Sequence, residues 1–160
     1  ARLEDLPVNY QGIALEESER HGNEIYDRMF GELWDTFETQ NRLQQQGALF
    51  APMLAVRSVS MAFSGTDFAH FRSFSEAAER YRRAMITAMN EDIRDNPKSK
   101  ERGYVADDSL WAKVGPFTYQ APALPDVLAS QSWSLGLLAV WAFAASSAAA
   151  WAATRRLEAE

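Results

Sequence analysis

Residues 133–153 read WSLGLLAVWAFAASSAAAWAA, and from Val127 to Thr154 no residue carries a charge. A hydrocarbon core roughly 30 Å thick takes about 20 apolar helical residues to cross. At 1.5 Å per residue, Trp133 and Trp151 lie about 27 Å apart along a helix. One indole then falls near each membrane interface, where tryptophan is favoured. Arg155 and Arg156 close the run. The stretch predicts a membrane helix at about 130–153. The domain division that follows is a polar domain at residues 1–126, then residues 127–160 as transmembrane helix and short cytoplasmic tail. The opposing reading is the core hairpin helix of a soluble bundle, which the alanines and Ser132, Ser134, Ser146 and Ser147 also suit. A signal peptide is excluded by position, since the run lies at the far end of the chain.

The flanks give an orientation. Cytoplasmic flanks are enriched in arginine and lysine. Arg155 and Arg156 follow the run, whereas QAPALPDVLASQS before it has no positive charge. The C-terminus is then cytoplasmic and residues 1–126 extracytoplasmic, which in a bacterium means an inner-membrane protein with its domain in the periplasm or at the cell surface. Small residues recur every fourth position (Ser132 and Gly136, Ala144 and Ala148, Ala145 and Ala149). Such faces let membrane helices approach closely, so the helix suits a polytopic bundle better than isolation in lipid.

The 160 residues suffice for one domain with a real core. Net charge is −6, and beyond residue 126 only Arg155, Arg156, Glu158 and Glu160 are charged, so the acidic excess lies in the polar domain. An acidic chain without basic clusters is a poor partner for nucleic acid. Cysteine is absent, which removes disulfides, thiolate catalysis and cysteine-based metal sites together. Ala1 at the start fits a fragment or a processed product.

Before the apolar run the periodicity is helical. Residues 1–13, with Pro7 and Gly12, read as an extended lead-in. A first amphipathic helix is expected from about Leu15 to Gln46, with Ile25, Met29, Phe30, Leu33, Trp34, Phe37 and Leu43 on its apolar side. Gly22 and Gly31 are expected to weaken it locally. A second, strongly apolar helix is expected over 48–64, with Pro52 in its first turn. It is too short to span a bilayer comfortably and is expected to be buried against the first helix or to dip towards the membrane surface. Gly65 then ends one helix, and Thr66 or Asp67 caps a third over 67–95. In that helix Glu76 and Glu79 fall beside Arg80, Arg82 and Arg83 and predict a solvated polar face. Residues 96–109 read as a loop, with Ser109 capping the short LWAKV turn. Pro116, Pro122 and Pro125 predict an extended, semi-rigid lead into the last helix. The fold class is all-α, a helical bundle followed by one C-terminal transmembrane helix.

Candidate chemistry is sparse. The two histidines are His21 and His70. Glu17, His21 and Glu24 share one helix face, and Asp67 stands three residues before His70. Carboxylate and histidine from facing helices is how metal sites are built in bundles; ordinary surface residues of acidic helices account for the same pattern. No metalloprotease, P-loop or nucleophile-elbow pattern occurs. Ser58, Ser60 and Ser64 lack an activating motif. The expectation is therefore a non-enzymatic chain with no cofactor and no bound metal, a metal-dependent enzyme using His21 and His70 being the alternative. Arg57, alone among charges between Arg42 and Asp67, is expected to be buried against a carboxylate of the first helix, or to snorkel, a substrate-binding role being the alternative.

Three segments carry a family resemblance: PVNYQGIALEESERHGNEIYDRMFGELWDTFE (7–38), LAVRSVSMAFSGTDFAHFRSFSEAAERYRRAMITAMNEDI (54–93) and LWAKVGPFTYQAP (110–122). In order and over nearly the whole chain they resemble bacterial ABC-2 type transporter permeases with a DUF3526-type extracytoplasmic domain. The AVRS and SGTDFAHFR stretches are the most specific. The resemblance implies a domain set between membrane helices, a last helix ending in a short basic tail, and a permease subunit that couples a separate cytoplasmic ATP-binding subunit to export. The other permease helices, or a second permease subunit, are then partners absent from this chain. Broader relatives are loosely tied to multicopper enzyme maturation. No substrate-contacting residue carries over from the family. A membrane-anchored periplasmic interaction or assembly module without transport activity is the alternative.

Overall fold

A computed structural model describes residues 8–101 and 104–157, without the side chains of Pro97, Arg156 and Leu157. Most of the lead-in expected at residues 1–13 lies outside them. Among the described residues six α-helices follow in order: α1 Tyr10–Gly47, α2 Pro52–Phe63, α3 Phe68–Asp95, α4 Asp108–Val114, α5 Leu124–Ser130 and α6 Ser132–Leu157, with a 3-10 turn at Pro97–Lys100 after α3. No strand occurs among the described residues, and the class is all-α as expected.

The ends differ from the sequence expectation, and capping explains most of the differences. α1 starts at Tyr10 rather than Leu15, because the Asn9 side chain accepts the Gln11 N–H at 3.0 Å and so supplies a cap upstream of the charged stretch. It runs unbroken through Gly22 and Gly31. α2 is shorter than 48–64: residues 48–51 form a turn, and Pro52 opens the helix. Asp67 caps α3 by accepting the His70 N–H at 3.0 Å. Gly65, at φ 69°, makes the left-handed turn before it. Asp107, not Ser109, caps α4; its carboxylate accepts the Ser109 N–H at 2.9 Å. The proline lead is not extended throughout, since Pro125 sits in the first turn of α5, where its missing N–H costs nothing.

The chain divides into two compact units, each holding part of α1 and part of α3. The first comprises Ala1–Trp34 and Phe74–Gln120. Its apolar interior is aromatic. Tyr26 stacks on Phe30 with ring centroids 4.0 Å apart, and Phe30 leans on the buried Trp34. Phe74 meets Phe117 and Tyr119 edge-on. Tyr81 contacts Phe117 and donates its hydroxyl to the Gly115 carbonyl at 3.0 Å. The expected solvated face of α3 is instead a half-buried seam. Glu79 is only 12% exposed and accepts from both Arg82 and Arg83 at 2.7 Å. Arg82 also donates to Glu19 and Asn23, and Arg83 to Asp27, all on α1. The seam closes where Arg94 donates to Glu16 at 2.6 Å and the Asn9 N–H bonds the Arg94 carbonyl at 2.9 Å.

The second unit comprises Asp35–Ser73 and Ala121–Glu160. Its core is small: Ala48, Ala55 and Leu137, with Leu54 and Leu138 against them. Two hydrogen bonds fix how α2 lies on α6. Trp141 Nε1 donates to the Ala48 carbonyl at 3.3 Å, and Ser58 Oγ donates to Gln131 Oε1 at 2.9 Å. Residue numbers rise along α2 as they fall along α6, so the two helices are antiparallel. α6 is buried only near its start, at Ser134 and Leu137, and every residue from Ala139 to Arg155 is exposed. Ser132–Arg155 is the one described helix long and apolar enough to cross a membrane.

Candidate functional site

The second unit carries a cleft of about 340 Å³ with mixed lining. The last turns of α1 contribute Gln40, Asn41, Gln44 and Gln45, and Gln131 adds a fifth amide from the break between α5 and α6. Arg57 and Ser58 of α2 line the same space, and the apolar remainder includes Phe37, Met61 and Phe68. Phe37 and Phe68 meet edge-on at 6.0 Å. The amide run comes from helix geometry. Positions 40, 41, 44 and 45 fall on one face of α1 because i and i+4 residues stack. Neutral amides donate and accept alike, so the wall is polar without net charge.

Arg57 is not the buried, paired residue expected from sequence. It is exposed, and it forms no ion pair among the described residues. The lone charge in an apolar run stays in contact with solvent because α2 buries only Ala55 and Ala62. Its neighbour Ser58 makes the tertiary contact instead.

The histidines occupy different settings. His21 is 71% exposed and stands 3.9 Å from Glu24, an ordinary surface pair. His70 is half-buried, and its Nδ1 shares a hydrogen bond of 2.5 Å with Asp67, the cap of α3. Asp67 therefore serves the helix end and the imidazole together. Among the described residues no three His, Asp or Glu side chains converge as a metal would require.

The electrostatics of the first unit are structural in character. Hydrogen bonding from Arg82 holds the Glu79 carboxyl below its ordinary range, against the opposing pull of burial. Glu79 in turn raises Arg82 further above the guanidinium norm, while Asp27 does most to raise Arg83. Burial pushes the Tyr26 phenol up. The spacing along α3 assigns its charged residues to solvent. The signal that points the other way is the matching set of acids on α1, Glu19 and Asp27.

A family model described as a domain of unknown function (DUF3526) matches residues 1–120. The chain belongs to the DUF3526 family. No curated protein and no solved structure matches it. The DUF3526 match covers all of the first unit and the part of the second formed by α2 with the adjoining turns of α1 and α3; α5 and α6 lie beyond it.

Proposed function

We propose that this DUF3526 chain is the extracytoplasmic domain and last membrane helix of an ABC transporter permease subunit. The observation that carries the reading is α6. From Ala139 to Ala153 it is uncharged, mostly apolar and exposed, with Val140 64% and Phe143 75% exposed. A continuous apolar surface of that kind marks a membrane or protein partner. The sequence resemblance to ABC-2 type permeases supplies the rest. In this reading α6 lies in the bacterial inner membrane, packed on other permease helices or on a second permease subunit through its small residues. Arg155, stacked over Trp151 at 4.3 Å, marks the cytoplasmic interface. Residues 1–126 are extracytoplasmic. ATP is hydrolysed on a separate cytoplasmic subunit, and this chain contributes no catalysis, metal or cofactor.

The test is co-expression of the full-length gene with any ATP-binding subunit encoded beside it, followed by capture in detergent. Recovery of both proteins, with ATP hydrolysis that depends on the permease, is the expected result. Recovery without the ATPase overturns the transporter reading in favour of a membrane-anchored assembly module. The His21→Ala, His70→Ala double variant should retain export; loss of export with assembly intact overturns the metal-free reading.

A further inference from the structure

The turn between α1 and α2 is unusual for a soluble surface. Phe50 is 87% exposed and Met53 72%, and Leu49 is exposed beside them. The uncharged stretch around them runs from Leu43 to Val56, and Arg57 ends it. The turn also bonds its own N–H groups. The N–H groups of Ala48, Leu49, Phe50 and Ala51 donate to the carbonyls of Gln45, Gln46 and Gly47. The next residue, Pro52, has no N–H to satisfy. N–H groups that enter hydrocarbon need such partners, because no water is there to take an unpaired group; of the turn's carbonyls, Ala48 accepts from Trp141 and Ala51 from Leu54.

The register of α2 on α6 gives this turn a depth. Trp141 reaches the Ala48 carbonyl, and Gln131 reaches Ser58. Trp141 lies about 12 Å further along α6 than Trp133, at 1.5 Å per residue. If α6 spans the bilayer with Trp133 at the outer interface, the turn sits at the level of Trp141, among acyl chains. Arg57, beside Ser58, is then level with the start of α6, at headgroup height, where a solvated arginine belongs.

We propose that the α1–α2 turn, tipped by Leu49, Phe50 and Met53, is a wedge inserted into the outer leaflet alongside α6, with lipid acyl chains as its occupant and Arg57 at the headgroup level. The proposal rests on α6 being transmembrane. It adds that the domain itself enters the membrane from its own side.

The absence of cysteine makes single-cysteine labelling clean. Phe50→Cys, Met53→Cys, Phe143→Cys and Ser60→Cys variants of the full chain, each carrying a small fluorophore, are reconstituted in phosphatidylcholine–phosphatidylglycerol vesicles. Quenching is read with aqueous iodide and with chain-labelled lipid. Phe143 reports the spanning helix, and Ser60 reports α2 at the headgroup level. Positions 50, 53 and 143 are expected to lose iodide quenching and gain lipid quenching, with position 60 the reverse. Iodide access at 50 and 53 while 143 is shielded overturns the wedge and leaves the membrane helix standing. Shielding of 50 and 53 from both quenchers means protein covers the turn, and also overturns it. Iodide access at all four overturns the spanning helix and the wedge together.

Discussion

Single residues in this chain are constrained where backbone approaches backbone. A Cβ added at Gly12 would lie 2.5 Å from the Arg94 amide nitrogen and 2.6 Å from its Cα. Backbone cannot swing aside as a side-chain tip can. Gly12→Ala should therefore cost about 1–3 kcal/mol, the usual cost of overpacking, read as a lower midpoint in denaturant unfolding. Tyr119 poses the opposite case: its hydroxyl is buried and has no hydrogen-bond partner among the described residues. An unmet buried hydroxyl carries a desolvation cost of about 1–3 kcal/mol. Tyr119→Phe should be neutral or stabilising, and a clear fall in melting temperature would show that the hydroxyl is bonded in solution. Arg57→Ala should change stability by no more than about 0.5 kcal/mol, the ordinary range for a surface substitution. The loss of roughly 3–5 kcal/mol that follows from breaking a buried pair is the outcome that contradicts the exposed placement.

Among the elements, the polar seam between α1 and α3 is the most sensitive to pH. Glu79 is held below its ordinary value of 4.5 in the fold, chiefly by Arg82. In the unfolded chain it takes up a proton first. Its contribution is then complete above about pH 4.5 and disappears as pH falls through the depressed folded value. Thermal unfolding of the first unit should be flat with pH on the neutral side and fall steeply below pH 4.5. Glu79→Gln should flatten that acid limb while lowering the midpoint at neutral pH by about 1–3 kcal/mol, the worth of charge-assisted hydrogen bonds left half-made. An unchanged acid limb in the variant would move the effect to the more exposed Asp27, which Arg83 also holds down.

At the scale of the whole molecule, the proposed membrane placement rests on α6. Val140 and Phe143 are largely exposed, so changing them disturbs little packing. A charged residue near the centre of a spanning helix costs about 2.5–3.5 kcal/mol on the insertion scale. The unaltered protein should stay with membranes through alkaline carbonate extraction. The Val140→Asp, Phe143→Asp double variant should be released, with its melting transition intact. Retention of the double variant in the membrane fraction would place the attachment elsewhere in the chain.

Much of the fold is legible in the amino-acid sequence alone. An uncharged run from Val127 to Thr154, tryptophans 18 residues apart and a terminal arginine pair specify a helix of bilayer length whatever surrounds it, because length and apolarity are local properties. The periods of α1 and α3 are equally local, and so are the stop at Gly65 and the cap at Asp67. What sequence misplaces is the environment of charge. Glu79, Arg82 and Arg83 look like a solvated face because i, i+3 and i, i+4 pairing explains them fully on one helix; only the approach of α1 brings Glu19 and Asp27 to them and half-buries the set. Arg57 errs the other way. Apolar neighbours in sequence imply burial, yet a twelve-residue helix that buries two alanines leaves its opposite side to solvent. Helix length, period and capping follow from neighbours along the chain. Which face a helix hides, and how deep its turn lies beside α6, depends on contacts 59 to 93 residues apart, such as Arg82 with Asn23, Ser58 with Gln131 and Trp141 with Ala48, and those only the tertiary structure decides.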